Sequence, residues 1–169
     1  MQIRQIQVAN DNVQDRLVLR IATQASEEIR VFFTRRFLSE LWPHLVAMLL
    51  DHLAAQPVFP AEDESSESQA AAASTTFEQP FNNDDPVFPL GSQPLLASEA
   101  TLEASGPGLA RVILREARER SFTMNLNAEL LQALCSMLRA ACEQAQWGLA
   151  LDYGKPLPAQ KSGRQSFLH

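Results

Sequence analysis

The chain has few of the residues around which enzymes and metal centres are usually built. It contains only six glycines, two cysteines and three histidines. No glycine-rich phosphate loop, nucleophile elbow, CxxC pair or HExxH pair occurs in the sequence. His44, His52 and His169 show no ligand pattern, and a zinc site needs more ligands than they offer. The sequence therefore predicts a protein that is not an enzyme and binds no metal or other cofactor.

Carboxylates do not change this prediction. Glu27 and Glu28 fall in a hairpin loop, and Asp84 and Asp85 fall in an acidic linker. Side chains in such places are normally solvated, whereas a general acid or base needs a buried or otherwise perturbed carboxyl group. We interpret both pairs as solvated charges.

Cysteine is too sparse and too widely spaced for a disulfide. Cys135 and Cys142 lie in a segment with helical periodicity, where seven residues at a rise of 1.5 Å separate their Cα atoms by about 10 Å. That distance excludes a bond between them, and we interpret both as small buried hydrophobic residues. Reduced thiols, and an N-terminus without a signal-peptide layout, lead us to expect a cytoplasmic protein.

Long hydrophobic runs are also missing. The most apolar stretch lies between residues 37 and 50 and is interrupted by Glu40 and His44. It is too short and too polar for a transmembrane helix. We therefore expect no membrane partner.

Basic residues are absent from the middle of the chain. Residues 56–107 contain nine acidic residues and no basic residue, whereas residues 1–55 contain six of each sign. Residues 108–169 contain eight basic and five acidic residues. The net charge of −6 therefore comes from the middle of the chain, and the two flanking parts are neutral to mildly basic.

This acidic region predicts a linker. Residues 56–94 are rich in serine and interrupted by proline, so they cannot bury enough apolar surface to offset the entropy of ordering. Isolated apolar residues, among them Phe77, Phe81 and Phe88, lie within it. Aromatic residues in an acidic setting can form a recognition motif that folds onto a partner or back onto its own domain. The alternative is that these residues only cover part of the surface of the core.

Residues 17–50 predict two strands followed by a helix. Apolar residues alternate in both strands, and pairing Leu19 with Val31 brings all of them to one face of a hairpin. Thr34 is an N-cap candidate at the start of the helix. Pro43 lies about two turns into the helical pattern, where we expect a kink or a break into two helices.

The same pattern returns 93 residues later. This shift carries Thr34 onto Asn127, another good N-cap, and residues 2–8 onto 95–101, a candidate for one further strand in each unit. The match is one of hydrophobic pattern and capping, and the alternative is two independent hairpin–helix units.

The sequence thus predicts an α+β fold. We expect an antiparallel sheet built from two pseudo-repeated β-β-(β)-α units, with both helices packed on one face and a long acidic linker between the units. The two units form one domain. The boundaries are residues 1–55 for the first unit, 56–94 for the linker, 95–151 for the second unit and 152–169 for a flexible tail.

The second face of this sheet is the candidate binding face. Arginines interleaved with an aromatic residue can follow phosphates and stack a nucleic-acid base. One alternative is a solvated face whose arginine stems cover apolar neighbours. Another is a surface that forms a homodimer or docks a protein partner. The predicted face contains Arg16, Val18, Arg20, Arg30, Phe32, Arg111, Ile113, Arg115, Thr123 and Asn125.

The stretch FFTRRFLSELW, residues 32–42, resembles small bacterial proteins of unknown function. The resemblance implies a bacterial origin and the cytosol, and no activity. We therefore predict a non-enzymatic protein-interaction or regulatory module, whose partner is an unidentified protein or a second copy of the chain. The alternative is single-stranded nucleic-acid binding through the arginine-rich face, which the acidic linker disfavours.

Overall fold

Strands and helices both occur in the chain, and the predicted α+β class is confirmed. The structure is a computed structural model that describes residues 2–54, 80–81, 84–117, 119–153 and 165–168. Within these residues, eight strands and two helices follow one another along the chain. They are β1 (Ile3–Asp11), β2 (Arg16–Thr23), β3 (Glu28–Phe33), α1 (Arg35–Ala54), β4 (Leu95–Leu96), β5 (Glu99–Ala104), β6 (Leu109–Glu116), β7 (Arg120–Asn127), α2 (Ala128–Gln144) and β8 (Gln165–Leu168).

The strands form two four-stranded sheets, where the sequence predicted one sheet. The order is β1-β2-β3-β4 in the first sheet and β7-β6-β5-β8 in the second, and only β3 and β4 pair in parallel. The chain crosses between sheets at Ala97 and Ser98. The Ala97 amide donates to the Phe32 carbonyl at 3.0 Å, and the Ser98 amide donates to the Arg115 carbonyl at 2.8 Å. One extended segment thus pairs with the first sheet at one end and with the second sheet at the other.

The predicted hairpin register is confirmed. Leu19 pairs with Val31 in the first hairpin, and Val112 pairs with Met124 in the second. All four side chains are buried. Because side chains alternate between the faces of a strand, this register brings the apolar residues of both hairpins into the core.

Both helices begin at their predicted caps. The Phe37 amide donates to Thr34 Oγ1 at 3.2 Å, and the Leu130 amide donates to Asn127 Oδ1 at 2.8 Å. Helix α1 continues through Pro43 as one helix, so of the two predicted alternatives, a kink and a break, the break does not occur. Buried side chains before and after Pro43 hold α1 against the core, which offsets the loss of one backbone hydrogen bond.

The two units are packed into one hydrophobic cluster. Helix α1 contacts β5 of the second unit, helix α2 contacts β1 and β2 of the first, and the helices contact each other. Each unit places three long strands before a helix. The internal repeat itself stays a prediction.

The segment after α2 links the units by hydrogen bonds. The indole nitrogen of Trp147 donates to Asp15 Oδ1 at 2.7 Å, and that of Trp42 donates to the Asp152 carbonyl at 2.9 Å. Part of the predicted flexible tail is ordered, because β8 pairs with β5. Residues 154–164 of that tail lie outside the described residues.

The two thiols are buried and free, as predicted. Burial raises the pKa of Cys135 from 9.0 to about 12. The Cys135 thiol therefore keeps its proton in the folded state at a pH where it loses that proton in the unfolded chain. The stability that this thiol contributes is therefore present below pH 9 and is lost as the pH rises towards 12.

We expect Cys135→Ala to flatten the alkaline loss of stability. Above pH 9, the wild-type free energy of unfolding should fall more steeply than that of the variant, by at most about 1.4 kcal/mol per pH unit. Urea denaturation at a series of alkaline pH values measures both slopes. Equal slopes would show that Cys135 ionises in the folded state as easily as in the unfolded one.

Brief digestion with a glutamate-specific protease tests the predicted linker. Residues 56–79, which contain four glutamates, lie outside the described residues. We expect cleavage there and two fragments that co-elute, because α1 contacts β5 and α2 contacts β1. Under denaturing conditions the fragments should separate. Full resistance of residues 56–79 would contradict the linker prediction.

Candidate functional site

The predicted binding face is divided between the two sheets. Arg16, Val18, Arg20, Arg30 and Phe32 lie on β2 and β3, and all five are half-buried. We call this surface the first-sheet face. The second-sheet face lies on β6 and β7 and contains Arg111, Ile113, Arg115, Thr123 and Asn125. Ile113 is half-buried, and the other four residues are exposed.

Arg20 and Arg30 lie directly opposite each other on the first-sheet face, as predicted. Glu28 reaches both of them, with Oε1 at 3.0 Å from Arg20 Nη2 and at 3.9 Å from Arg30 Nε. The Glu28 side chain is only 4 % exposed. Two like charges across a strand pair repel, and here a buried carboxylate of the same sheet offsets that repulsion. Glu28 is therefore not the solvated loop residue that we predicted.

Aromatic rings cover the same arginines. The guanidinium carbon of Arg20 lies 4.0 Å from the ring centroid of Phe81, and that of Arg30 lies 4.4 Å from the ring centroid of Phe88. Both distances are within the range of cation–π contacts, each worth about 0.5–1 kcal/mol at a partly exposed site. Both rings come from the predicted linker.

This part of the linker forms an arm on the first sheet. We define the arm as residues 80–94, of which the structure describes 80–81 and 84–94. The Val87 amide donates to the Ser26 carbonyl at 3.0 Å, and the Glu28 amide donates to the Val87 carbonyl at 2.9 Å. Val87 thus makes a parallel β-bridge to Glu27 at the edge of the first sheet. Because side chains alternate, Phe88 then points to the first-sheet face, over Arg30.

Two arginines hold the rest of the arm. Arg30 Nη2 donates to the Ser92 carbonyl at 2.6 Å. Arg120 donates to the carbonyls of Leu90, Gln93 and Pro94 at 3.1, 2.9 and 3.2 Å. Directly after the arm, β4 pairs with β3. The outer edge of β3 is therefore occupied at both ends, and residues 84–94 are not the disordered linker that we predicted.

The second-sheet face differs in charge and composition. Glu103 lies 3.8 Å from Arg111 across β5 and β6, and Glu99 pairs with Arg115 in the same ladder. Along β5, β6 and β7, this face carries no aromatic side chain. It therefore lacks a stacking platform, and its arginines have acidic neighbours.

Sequence reasoning found the arginines and named the arm phenylalanines, but it missed Glu28 and Arg120 as site residues. Glu28 and Arg30 are two residues apart, so in a strand they share a face; extending β3 by one residue would have revealed the ion pair. Arg120 acts on carbonyls 26 to 30 residues earlier in the chain. No local pattern indicates such a contact.

Among the described residues, no group of three or more His, Cys, Asp or Glu side chains is placed to hold a metal ion. Neither α1 nor α2, the helices of the described part, has the length and apolar character needed to cross a membrane. Comparisons with protein-family models, with curated proteins and with solved structures found no match.

Proposed function

We propose that this chain is a non-enzymatic protein-interaction module whose first-sheet face and β3 edge hold an extended peptide that carries aromatic residues. The arm supports this proposal, because it occupies the site in the way that a peptide ligand would. The Val87 amide donates to the Ser26 carbonyl, the Val87 carbonyl accepts from the Glu28 amide, and each phenylalanine ring lies over a guanidinium group. This combination of β-strand addition with side-chain docking is a common mode of peptide recognition.

The charge of the site favours a peptide over a nucleic acid. Arg20 and Arg30 share the Glu28 carboxylate, and Arg111 lies near Glu103. Phosphate binding draws its affinity from cations that displace counterions, and carboxylates next to these arginines reduce that gain. Single-stranded nucleic-acid binding therefore remains the alternative, to be decided by the same assay.

The proposal includes a bacterial, cytosolic setting. The resemblance of residues 32–42 to small bacterial proteins supports it, as do the free thiols of Cys135 and Cys142. The partner is a protein segment, and a second copy of this chain is one candidate for it.

A labelled peptide of residues 80–94 tests whether the site accepts a ligand in trans. We expect it to bind the Phe81→Ala/Phe88→Ala variant about tenfold more tightly than the wild type, because the variant's own arm has lost two cation–π contacts. Fluorescence anisotropy measures both affinities. A separate titration with a labelled single-stranded oligonucleotide, at several salt concentrations, tests the nucleic-acid alternative.

Two controls locate the binding. A peptide with alanine at both phenylalanine positions should bind more weakly. Adding Arg20→Gln and Arg30→Gln to the variant should abolish peptide binding, whereas the matched pair Arg111→Gln and Arg115→Gln should leave it unchanged. If the peptide fails to bind and the oligonucleotide binds with a steep salt dependence, the nucleic-acid alternative replaces the proposal.

A further inference from the structure

The four residues at the centre of the arm occur twice in the chain. Pro86, Val87, Phe88 and Pro89 lie in the arm, and the same four residue types occur in the same order at positions 57–60. The arm copy forms the β-bridge to Glu27 and provides the ring over Arg30. The copy at 57–60 therefore carries the residue types that the β3 edge holds.

Each position of the arm copy has a role that the other copy can reproduce. Val87 is held through its main-chain amide and carbonyl, and its side chain is 60 % exposed. Phe88 supplies the ring over Arg30. Proline has no amide hydrogen and resists helix formation, so prolines on both sides favour an extended backbone at Val87 and Phe88. The four-residue motif thus contains both the main-chain groups and the aromatic ring that contact the β3 edge.

The residues that follow the motif differ between the copies. When Phe59 is aligned with Phe88, Asp63 falls at the position of Ser92, whose carbonyl accepts from Arg30. Asp63 has the same main-chain carbonyl to offer, and its carboxylate would add a negative charge on the side of the Arg30 guanidinium, where charge-assisted hydrogen bonds are stronger than neutral ones. Arg30 Nε is buried, and no described atom accepts a hydrogen bond from it.

The turn after the motif favours the arm copy. Gly91 has φ +88° and its amide donates to the Phe88 carbonyl at 3.0 Å. Glu62 falls at the matching position of the other copy, and a side chain disfavours this left-handed conformation. The arm copy also continues into β4, which is paired with β3. These features favour residues 86–89 as the main occupant of the edge.

We propose that residues 57–60 are a second ligand for the β3 edge and exchange there with residues 86–89 of the same molecule. This inference rests on the proposed function, because it requires the edge to accept a peptide. A tethered copy has a higher local concentration than a second molecule in dilute solution, so exchange occurs within one chain. Exchange releases Phe88 from Arg30, which gives the edge two alternative occupants.

Disulfide trapping in the full chain tests the exchange. In the Phe88→Ala variant, Glu27→Cys is combined with Val58→Cys, and the cross-link is followed on non-reducing gels in a mild redox buffer. Residues bridged across neighbouring strands are close enough for a disulfide. We expect an intramolecular cross-link that forms about two- to fivefold faster than with Phe88 intact, because the variant's arm has lost one cation–π contact. Cys135 and Cys142 are buried and do not compete.

Three matched variants keep the test decisive. Glu27→Cys with Val87→Cys, in the chain with Phe88 intact, is the positive control, and Glu27→Cys with Ser68→Cys places the second thiol outside the motif. Phe59→Ala is then added to the chain that carries Phe88→Ala, Glu27→Cys and Val58→Cys. This change should slow cross-linking to the rate of the Ser68→Cys control. If the Val87 pair cross-links and the Val58 pair is no faster than the Ser68 pair, exchange is wrong while the proposed function stands.

Two other outcomes also overturn the inference. A predominantly dimeric product from the Val58 pair would show that the second motif acts between molecules. Failure of the Val87 pair to cross-link, with the fold intact by circular dichroism, would show that the arm does not lie on the edge of β3. That result would remove the proposed function as well.

Discussion

Leu19→Asp should destabilise the fold more than any other substitution considered for this protein. Leu19 is fully buried at the centre of β2, between Val8 on β1 and Val31 on β3. The substitution removes a large apolar side chain and places a carboxyl group among the buried apolar side chains of the core. We expect a loss of about 5 kcal/mol or more, which equals the whole stability of many domains. Circular dichroism during urea denaturation should show no cooperative transition.

The neighbouring position provides the control. Val18 is half-buried on the first-sheet face and pairs with Phe32. An aspartate there lies on the same face as Arg16 and Arg20, so its charge has favourable neighbours. Val18→Asp should cost about 1–2 kcal/mol, from lost apolar burial and poor strand propensity. Equal damage from both substitutions would contradict the assignment of the two faces.

Local patterns explain why the hairpins and helices were predictable. The alternation around Leu19 and Val31 has one register that buries every apolar residue, and the caps Thr34 and Asn127 satisfy free amides next to them in sequence. Each of these interactions is decided by residues close together in the chain. The structure confirms them.

Contacts between distant segments explain what the sequence did not show. The division into two sheets depends on Ala97 and Ser98 pairing with different strands, although neither residue has a distinctive type. The arm is ordered by Arg30 and Arg120, whose guanidinium groups donate to carbonyls. Every residue has a carbonyl, so composition gives no sign of which ones an arginine will bind. The acidic composition of residues 56–94 therefore predicted disorder for a segment that partly packs on the core.

Glu28→Gln should test the centre of the candidate site. The substitution keeps the shape of the side chain and removes the charge that lies between Arg20 and Arg30. Those arginines would then face each other without a buried counter-charge, and the cost of desolvating them would no longer be offset. We expect a loss of about 2 kcal/mol in the free energy of unfolding, measured by urea denaturation at neutral pH.

Glu40→Gln is the matched control, because Glu40 also pairs with an arginine, at 3.2 Å, but both partners are largely exposed. It should cost less than about 0.5 kcal/mol. A double-mutant cycle then tests whether the stability lost in Glu28→Gln comes from the ion pair with Arg20. If the ion pair is its source, Glu28→Gln combined with Arg20→Gln should cost clearly less than the sum of the two single changes. Strictly additive losses would mean that Glu28 stabilises the sheet without acting on Arg20. The proposed site would then lack the carboxylate that sets its preference for a peptide over a polyanion.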